Sequence, residues 1–223
     1  MTDWATARRT MVDNQVRTND VTDLGVIDAM MTVPRELFVP GALRSLAYID
    51  EHMQVKPGHS GAPSRFLMQP APLAKLIQLA EIGPGDKVLV VGASTGYAAA
   101  LVAGLAATVV ALEEDAELAA EAGRTLAGLG LDTVKVVVGR LSAGAPAEAP
   151  FDVILFDGAI ETLPEVFAGQ LAEGGRLVAI EGYGLAGRAK LYRSSGGTLS
   201  GRARFNAAAR PLPGFEKAAE FVF

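Results

Sequence analysis

Residues 86–115 constrain the fold of this 223-residue chain more than any other stretch of its sequence. An apolar run of strand length, a turn of small residues, a helical segment and a second apolar run follow one another at 88–91, 92–96, 97–105 and 108–112. Glu113 closes the second run. A strand, a glycine turn, a helix, a strand and an acid in this order predict one half of a nucleotide-binding α/β sheet.

The turn Gly92-Ala93-Ser94-Thr95-Gly96 would let backbone N–H groups approach a ligand at the N-terminus of the following helix. Glu113 could accept hydrogen bonds from both hydroxyls of a ribose. A turn of this kind is equally typical of strand–helix corners that bind nothing, and that alternative stays open here.

The stretch from Val88 to Leu112 carries no charge and is long enough to span a bilayer. Helix, strand and turn signals alternate within it, which favours a buried core. We therefore expect no membrane segment.

Composition excludes several classes of site. The chain has no cysteine, so it has neither disulfides nor thiolate metal ligands. It has two histidines, His52 and His59, so we expect no multi-histidine metal site. A net charge of −5 argues against a non-specific nucleic-acid binder. The polar N-terminus shows no signal peptide, so a cytoplasmic protein is expected.

The rest of the chain alternates between helical and strand patterns, with a glycine- and proline-rich loop predicted at 51–64. Helices are predicted at 3–17, 22–32, 71–82, 116–129 and 163–171, and strands at 134–138, 151–156, 176–180, 190–193 and 202–206. We expect a single domain over 1–223, in which 1–82 form a helical and loop cap and 83–223 an α/β core. The predicted fold is a doubly wound, mostly parallel sheet.

Several motifs resemble those of the protein-L-isoaspartate O-methyltransferases. They are VPRELFVP, AYID, QPAPLAKLIQLAEIGPGDKVLVVGASTGYAAA, FDVILFDGA and QLAEGGRLV, in consistent order over about residues 10–182. The resemblance implies a seven-stranded class I methyltransferase fold that binds S-adenosylmethionine. It also implies a protein or peptide substrate, methylated at isoaspartyl carboxylates for repair. From the charge and the pattern of 88–112 we expect neither a nucleic acid nor a membrane as a partner.

The resemblance places the cofactor-binding positions on Gly92, Ala93, Ser94, Gly96, Tyr97, Glu113, Glu114, Arg140, Leu141 and Asp157. The ribose-binding acid is present as Glu113. Three positions depart from the family pattern: its middle glycine is Ser94, its acid before the loop is Val90, and its Gly-Asp pair is Gly139-Arg140. Arg140 cannot accept a hydrogen bond from an adenine amino group, although its guanidinium can stack on the ring.

The substrate segment departs further from the family. Where the resemblance implies a Thr-Ile-Ser triplet whose hydroxyls line the substrate site, this chain has Phe66-Leu67-Met68. Phe66 and Met68 cannot hold a carboxylate by hydrogen bonds. We therefore expect an active methyltransferase with a less polar acceptor. The alternatives are a non-catalytic protein that keeps the fold for binding or assembly, and an unchanged repair enzyme that uses His59 or Ser64 instead.

Asp157 follows the predicted strand 151–156, at the edge where open α/β sheets place their chemistry. It could act as a base or contact the substrate. An ordinary turn or helix-capping acid fits the same position.

Overall fold

The computed structural model describes residues 3–58 and 63–217. Its helices are α1 (Trp4–Met11), α2 (Leu24–Thr32), α3 (Pro70–Leu79), α4 (Tyr97–Ala103) and α5 (Ala116–Gly128). Its strands are β1 (Met53–Lys56), β2 (Arg65–Leu67), β3 (Lys87–Val91), β4 (Thr108–Glu113), β5 (Val134–Val138), β6 (Phe151–Ile160), β7 (Leu171–Glu181), β8 (Arg188–Ser195) and β9 (Thr198–Asn206).

Seven strands form one sheet in the order β5-β4-β3-β6-β7-β8-β9. The first five are parallel to their neighbours, and β8 and β9 add an antiparallel edge. The chain leaves β3 towards β4 on one side and later returns to β6 on the other, so the strand order reverses between β3 and β6. Ligands of open α/β sheets bind in the crevice at such a point. The predicted fold class and its N-terminal helical extension are confirmed.

The uncharged stretch 88–112 is divided into β3, α4 and β4. Alternate side chains of the sheet enter two apolar clusters, as in Val88 and Val90 on one face and Leu89 and Val91 on the other. No helix within 3–58 or 63–217 is long and apolar enough to cross a membrane.

The strands predicted at 151–156, 176–180, 190–193 and 202–206 are longer in the structure, and three other predicted segments differ in kind. The first helix ends at Met11 and continues as a wider π-helical turn over Val12–Val16. The prediction that 51–64 is only a loop was wrong, because Met53–Lys56 pairs with Arg65–Leu67 as an antiparallel hairpin. The helix predicted at 163–171 is a short 3-10 helix, Glu165–Gln170, and Leu171 already belongs to β7.

The segment after β9 turns back across the carboxyl edge of the sheet. The Ala159 amide donates to the Arg210 carbonyl at 2.9 Å, and the Leu212 amide donates to the Ala159 carbonyl at 2.8 Å. Leu212 thereby packs against Gly92, whose φ is +82°, and a Cβ added to Gly92 would lie 2.5 Å from Leu212 Cδ2. Gly92 is thus required by packing within the chain itself.

Gly92→Ala tests this packing. We expect a larger loss in the free energy of unfolding than for Gly130→Ala, by about 1–3 kcal/mol, because the new methyl group must displace Leu212. Gly130 is a matched control, since its φ is +69° and nothing lies within 4 Å of an added Cβ. Urea unfolding of both variants measures the difference. Equal losses would mean that only backbone strain acts at Gly92.

Candidate functional site

Glu113 is fully buried at the end of β4, and three backbone amides hold its carboxylate. Oε2 accepts from the Ser94 amide at 2.7 Å, and Oε1 accepts from the Glu114 and Asp115 amides at 2.9 Å each. Asp115 then caps α5 by accepting from the Glu117 and Leu118 amides. The carboxylate therefore fixes the glycine turn and the β4–α5 turn to each other.

Arg65 completes the coordination of Glu113. Its Nη2 donates to Oε2 at 2.8 Å and its Nη1 donates to Oε1, so the guanidinium binds both carboxylate oxygens at once. Arg65 is only 5% exposed. The sequence analysis did not single out Arg65. Arg65 and Leu67 both point inward in β2, so the arginine occupies a strand position that an apolar residue normally fills.

The geometry at Glu113 suits a vicinal diol. A carboxylate that accepts two parallel N–H donors can accept two adjacent O–H donors at the same two oxygens. Glu113 thus fits a ribose once the Arg65 guanidinium has moved away. In this structure both of these oxygens are bound by Arg65.

Asp157 lies in the crevice between β3 and β6. The prediction that it follows the end of its strand was wrong, since β6 runs to Ile160. Its pairing with β3 ends at Phe156, however, and its pairing with β7 is interrupted between Leu155 and Ala159. Asp157 is therefore paired with no residue of β3 or β7.

The Asp157 carboxylate is 3% exposed, and neither of its oxygens has a hydrogen-bond partner among the described residues. Burial raises its pKa to about 7. The charges of Arg35 and Arg65 oppose this rise in pKa, and the charge of Glu113 adds to it. Burial of a carboxyl group without a hydrogen-bond partner costs free energy of folding.

Arg35 is a second buried arginine that the sequence analysis did not single out, although it stands in the VPRELFVP motif. It is fully buried, and its Nε and Nη2 donate to the carbonyls of Ala47 and Met68 at 2.8 and 2.9 Å. Its guanidinium lies 4.7 Å from the centre of the Tyr97 ring.

The segment Phe66-Leu67-Met68 brings no hydroxyl to the site. Met68 and Leu67 are buried in the apolar cluster, and the Met68 carbonyl accepts from Arg35 Nη2. Phe66 is half-buried, with the Arg210 guanidinium 5.0 Å from its ring centre. The Ser64 hydroxyl accepts from the Gly58 amide and from Gln54 Nε2, and His59 lies outside the described residues.

The remaining predicted cofactor positions divide into two groups. The buried group comprises Gly92, Ala93, Ser94, Gly96, Tyr97 and Leu141, of which Ser94 binds Glu113 through its amide. Ser94 has a φ of +53°, and its hydroxyl has no partner among the described residues. Glu114 and Arg140 are exposed, and Glu114 Oε2 accepts from the Leu141 amide at 3.4 Å.

Comparisons of the sequence with known proteins all identify the same family. The sequence model described as protein-L-isoaspartate(D-aspartate) O-methyltransferase matches residues 6–202. A protein-L-isoaspartate O-methyltransferase of Koribacter versatilis is 42% identical over 178 residues, covering 80% of this chain and 78% of the relative. Another from Methylorubrum extorquens is 43% identical over 176 residues, covering 79% and 74%.

Solved structures agree with these sequence matches. A protein-L-isoaspartate O-methyltransferase structure superposes with a TM-score of 0.80 at 25% identity, covering 93% of this chain and 66% of that one. A putative family member from Plasmodium falciparum, in complex with S-adenosyl-L-homocysteine, shares the fold with a TM-score of 0.72 at 18% identity, covering 95% and 99%. The family resemblance of the sequence is confirmed, and the chain belongs to the protein-L-isoaspartate O-methyltransferase family.

Proposed function

We propose that the chain is an S-adenosylmethionine-dependent methyltransferase whose acceptor is less polar than an isoaspartyl carboxylate. The observation that carries the cofactor assignment is the buried Glu113 carboxylate, oriented by three backbone amides beside the glycine turn. When bound, the cofactor would supply a methyl group activated by its sulfonium. A protein or peptide substrate and a cytoplasmic location remain predictions from the sequence.

The residues of the chain would each have a defined task. Glu113 would accept both ribose hydroxyls after Arg65 moves away from its two oxygens. Ser94, Tyr97 and Leu141 are buried and would exclude water from the site. The exposed Arg140 would stack on a base at the rim.

The acceptor assignment depends on the segment 66–68. A carboxylate that enters a pocket loses its hydration, and it must regain hydrogen bonds to avoid a cost of several kcal/mol. Phe66, Leu67 and Met68 have no side-chain donor to offer, and Met68 is packed in the core. The structure therefore favours an acceptor that needs fewer hydrogen bonds than a carboxylate does.

The second candidate is a non-catalytic protein that keeps the methyltransferase fold for binding or assembly. The Arg65–Glu113 ion pair favours it, because both oxygens that a ribose needs are already bound by this chain. The two candidates differ in whether a nucleoside can displace Arg65.

Calorimetric titration with S-adenosylhomocysteine separates them. We expect Glu113→Gln to weaken binding about tenfold to a hundredfold, since a charge-assisted hydrogen bond contributes about 1.5–3 kcal/mol. Arg65→Gln should strengthen binding, because the ribose no longer competes with a guanidinium. Arg124→Gln, at an exposed position on α5, is the charge-matched control and should bind like the wild type.

Absence of binding to the wild type and to Arg65→Gln alike would contradict the methyltransferase proposal and support the non-catalytic one. Binding that is unaffected by Glu113→Gln would show that Glu113 is not the ribose acceptor.

Transfer of a tritiated methyl group to an isoaspartyl peptide tests the acceptor. We expect wild-type turnover at least about a hundredfold below that of a relative with hydroxyls at these positions, equivalent to roughly 3 kcal/mol of lost carboxylate binding. Phe66→Thr with Met68→Ser should raise it. Because Met68 is 3% exposed, its truncation will cost stability.

Phe66→Thr alone and the free energy of unfolding of each variant are therefore measured alongside. Cofactor affinity is determined on the same samples, so that weak cofactor binding is not mistaken for poor acceptor binding. Rapid wild-type turnover would overturn the acceptor assignment.

A further inference from the structure

The hairpin of β8 and β9 carries only positive charge, although the chain as a whole has a net charge of −5. Residues 188–206 contain no acidic side chain and five cationic ones, namely Arg188, Lys190, Arg193, Arg202 and Arg204. Positive charge is therefore concentrated at one edge of the sheet. A patch of a single sign attracts a partner of the opposite sign.

Two of these five side chains are free to bind such a partner. The lysine and the first two arginines bind oxygens of the chain itself. Arg202 and Arg204 are both exposed, and neither contacts a carboxylate in the described part of the chain. Their guanidiniums are thus available as donors for an anion that comes from outside.

Arg202 and Arg204 lie on the same face of the hairpin. Together with Leu191, Arg193 and Ser200 they line a groove of about 300 Å³. Residues two positions apart on a strand are about 7 Å from each other, which is also the spacing of side chains on one face of any other extended chain. The groove thus fits acidic side chains at every second position of an extended polypeptide.

The outer edge of β9 offers backbone groups beside these charges. β9 is the last strand of the seven-stranded sheet, and most of its residues are exposed. A two-residue turn joins β8 to β9, and from that turn on hydrogen-bonded pairs alternate with non-hydrogen-bonded pairs. The N–H and C=O groups of Leu199, Gly201 and Ala203 therefore point away from β8. No strand among the described residues pairs with this edge.

A polypeptide fits this surface better than a nucleic acid does. Single-stranded nucleic acids bind by stacking their bases on exposed aromatic rings, and both rings of the hairpin are covered. The Tyr192 ring lies so close to Gly201 that an added Cβ would be 2.2 Å from its Cε1. Lys75 Nζ lies 4.7 Å from the centre of the Phe205 ring. A nucleic acid would also leave the backbone groups of the edge unpaired.

Charge disfavours a second copy of this chain as the partner. Two copies that paired through β9 about a two-fold axis would bring the same arginines towards each other. Like charges that face each other across paired strands are destabilising. The edge therefore suits a strand of opposite charge.

We propose that the outer edge of β9 binds an acidic, extended segment of a partner protein, which adds a strand to the sheet and places carboxylates beside Arg202 and Arg204. Backbone hydrogen bonds would contribute the affinity, and the two guanidiniums would select acidic side chains. β9 is five strand spacings from β4, about 24 Å, so this surface is separate from Glu113 and does not depend on the proposed methyl transfer.

Fluorescence anisotropy with a labelled synthetic peptide tests the proposal on the full chain. The probe alternates glutamate with threonine over about eight residues, a typical strand length. We expect it to bind, with an affinity that falls about tenfold or more between about 0.05 and 0.3 M sodium chloride, because salt screens exposed charges. The same peptide with glutamine in place of glutamate should bind at least about tenfold more weakly.

Arg202→Gln with Arg204→Gln is the variant that removes the two free guanidiniums. It should weaken binding of the acidic peptide about tenfold or more and leave the free energy of unfolding unchanged, since both side chains are exposed. Arg9→Gln with Arg124→Gln is the matched control, because it removes the same charge from exposed positions on α1 and α5. The control should bind like the wild type.

The acidic peptide N-methylated at every residue keeps its charge and lacks N–H donors, so it should not bind detectably. Equal binding of both peptides would overturn the addition of a strand. Equal losses in the two double variants would overturn the assignment to Arg202 and Arg204, as an effect of net charge alone.

Two further outcomes would contradict the proposal. Absence of binding of the acidic peptide to the wild type would overturn it and would leave the arginines as protection of an exposed edge against self-association. Tighter binding of a single-stranded RNA of mixed sequence than of the acidic peptide would overturn it in favour of a nucleic-acid surface.

Discussion

The site depends on the hydrogen bonds and the ion pair that the buried Glu113 carboxylate forms. It joins three parts of the fold: the glycine turn through Ser94, the start of α5 through Glu114 and Asp115, and the cap through Arg65. Burial of a charge costs free energy unless an opposite charge and hydrogen bonds compensate for it, and removal of one partner from a buried ion pair typically costs about 3–5 kcal/mol. The cap is thus held over the sheet by the Arg65–Glu113 ion pair.

Because Arg65 binds both oxygens of Glu113, the site is compatible with a methyltransferase and with a non-catalytic protein. An ion pair that closes the cap stabilises the free protein, and the same pair competes with any ligand for Glu113. If the ribose hydroxyls and the other cofactor contacts together exceed the ion pair in free energy, the chain binds its cofactor with an affinity lowered by the cost of moving Arg65. If they do not, the Arg65–Glu113 ion pair stays intact and the chain does not bind the cofactor.

The sheet and the glycine turn could be predicted because their signals are local. The apolar runs of β3 and β4, the small residues between them and the acid that follows are neighbours in sequence. The contacts of Arg65 and Arg35 could not be predicted in this way: Arg65 is 48 positions from Glu113, and Arg35 is 33 positions from the carbonyl of Met68. No periodic pattern in the sequence connects such positions, and each arginine meets its partners only when the cap folds onto the sheet.

Asp157 shows a mixed outcome. The sequence placed it at the carboxyl edge, and the structure does so as well. The strand nevertheless continues to Ile160, because Ala159 and Ile160 resume pairing with Ile180 and Glu181 of β7, and the returning segment adds hydrogen bonds from Arg210 and Leu212 to Ala159. These partners are distant in sequence, so the local pattern of 151–157 could not reveal them.

A crystal structure of the chain with S-adenosylhomocysteine tests the central claim most directly. The account predicts that both ribose hydroxyls bind the Glu113 oxygens, that the Arg65 guanidinium has left them, and that the three backbone amides still hold the carboxylate. A bound nucleoside beside an intact Arg65–Glu113 ion pair would contradict it.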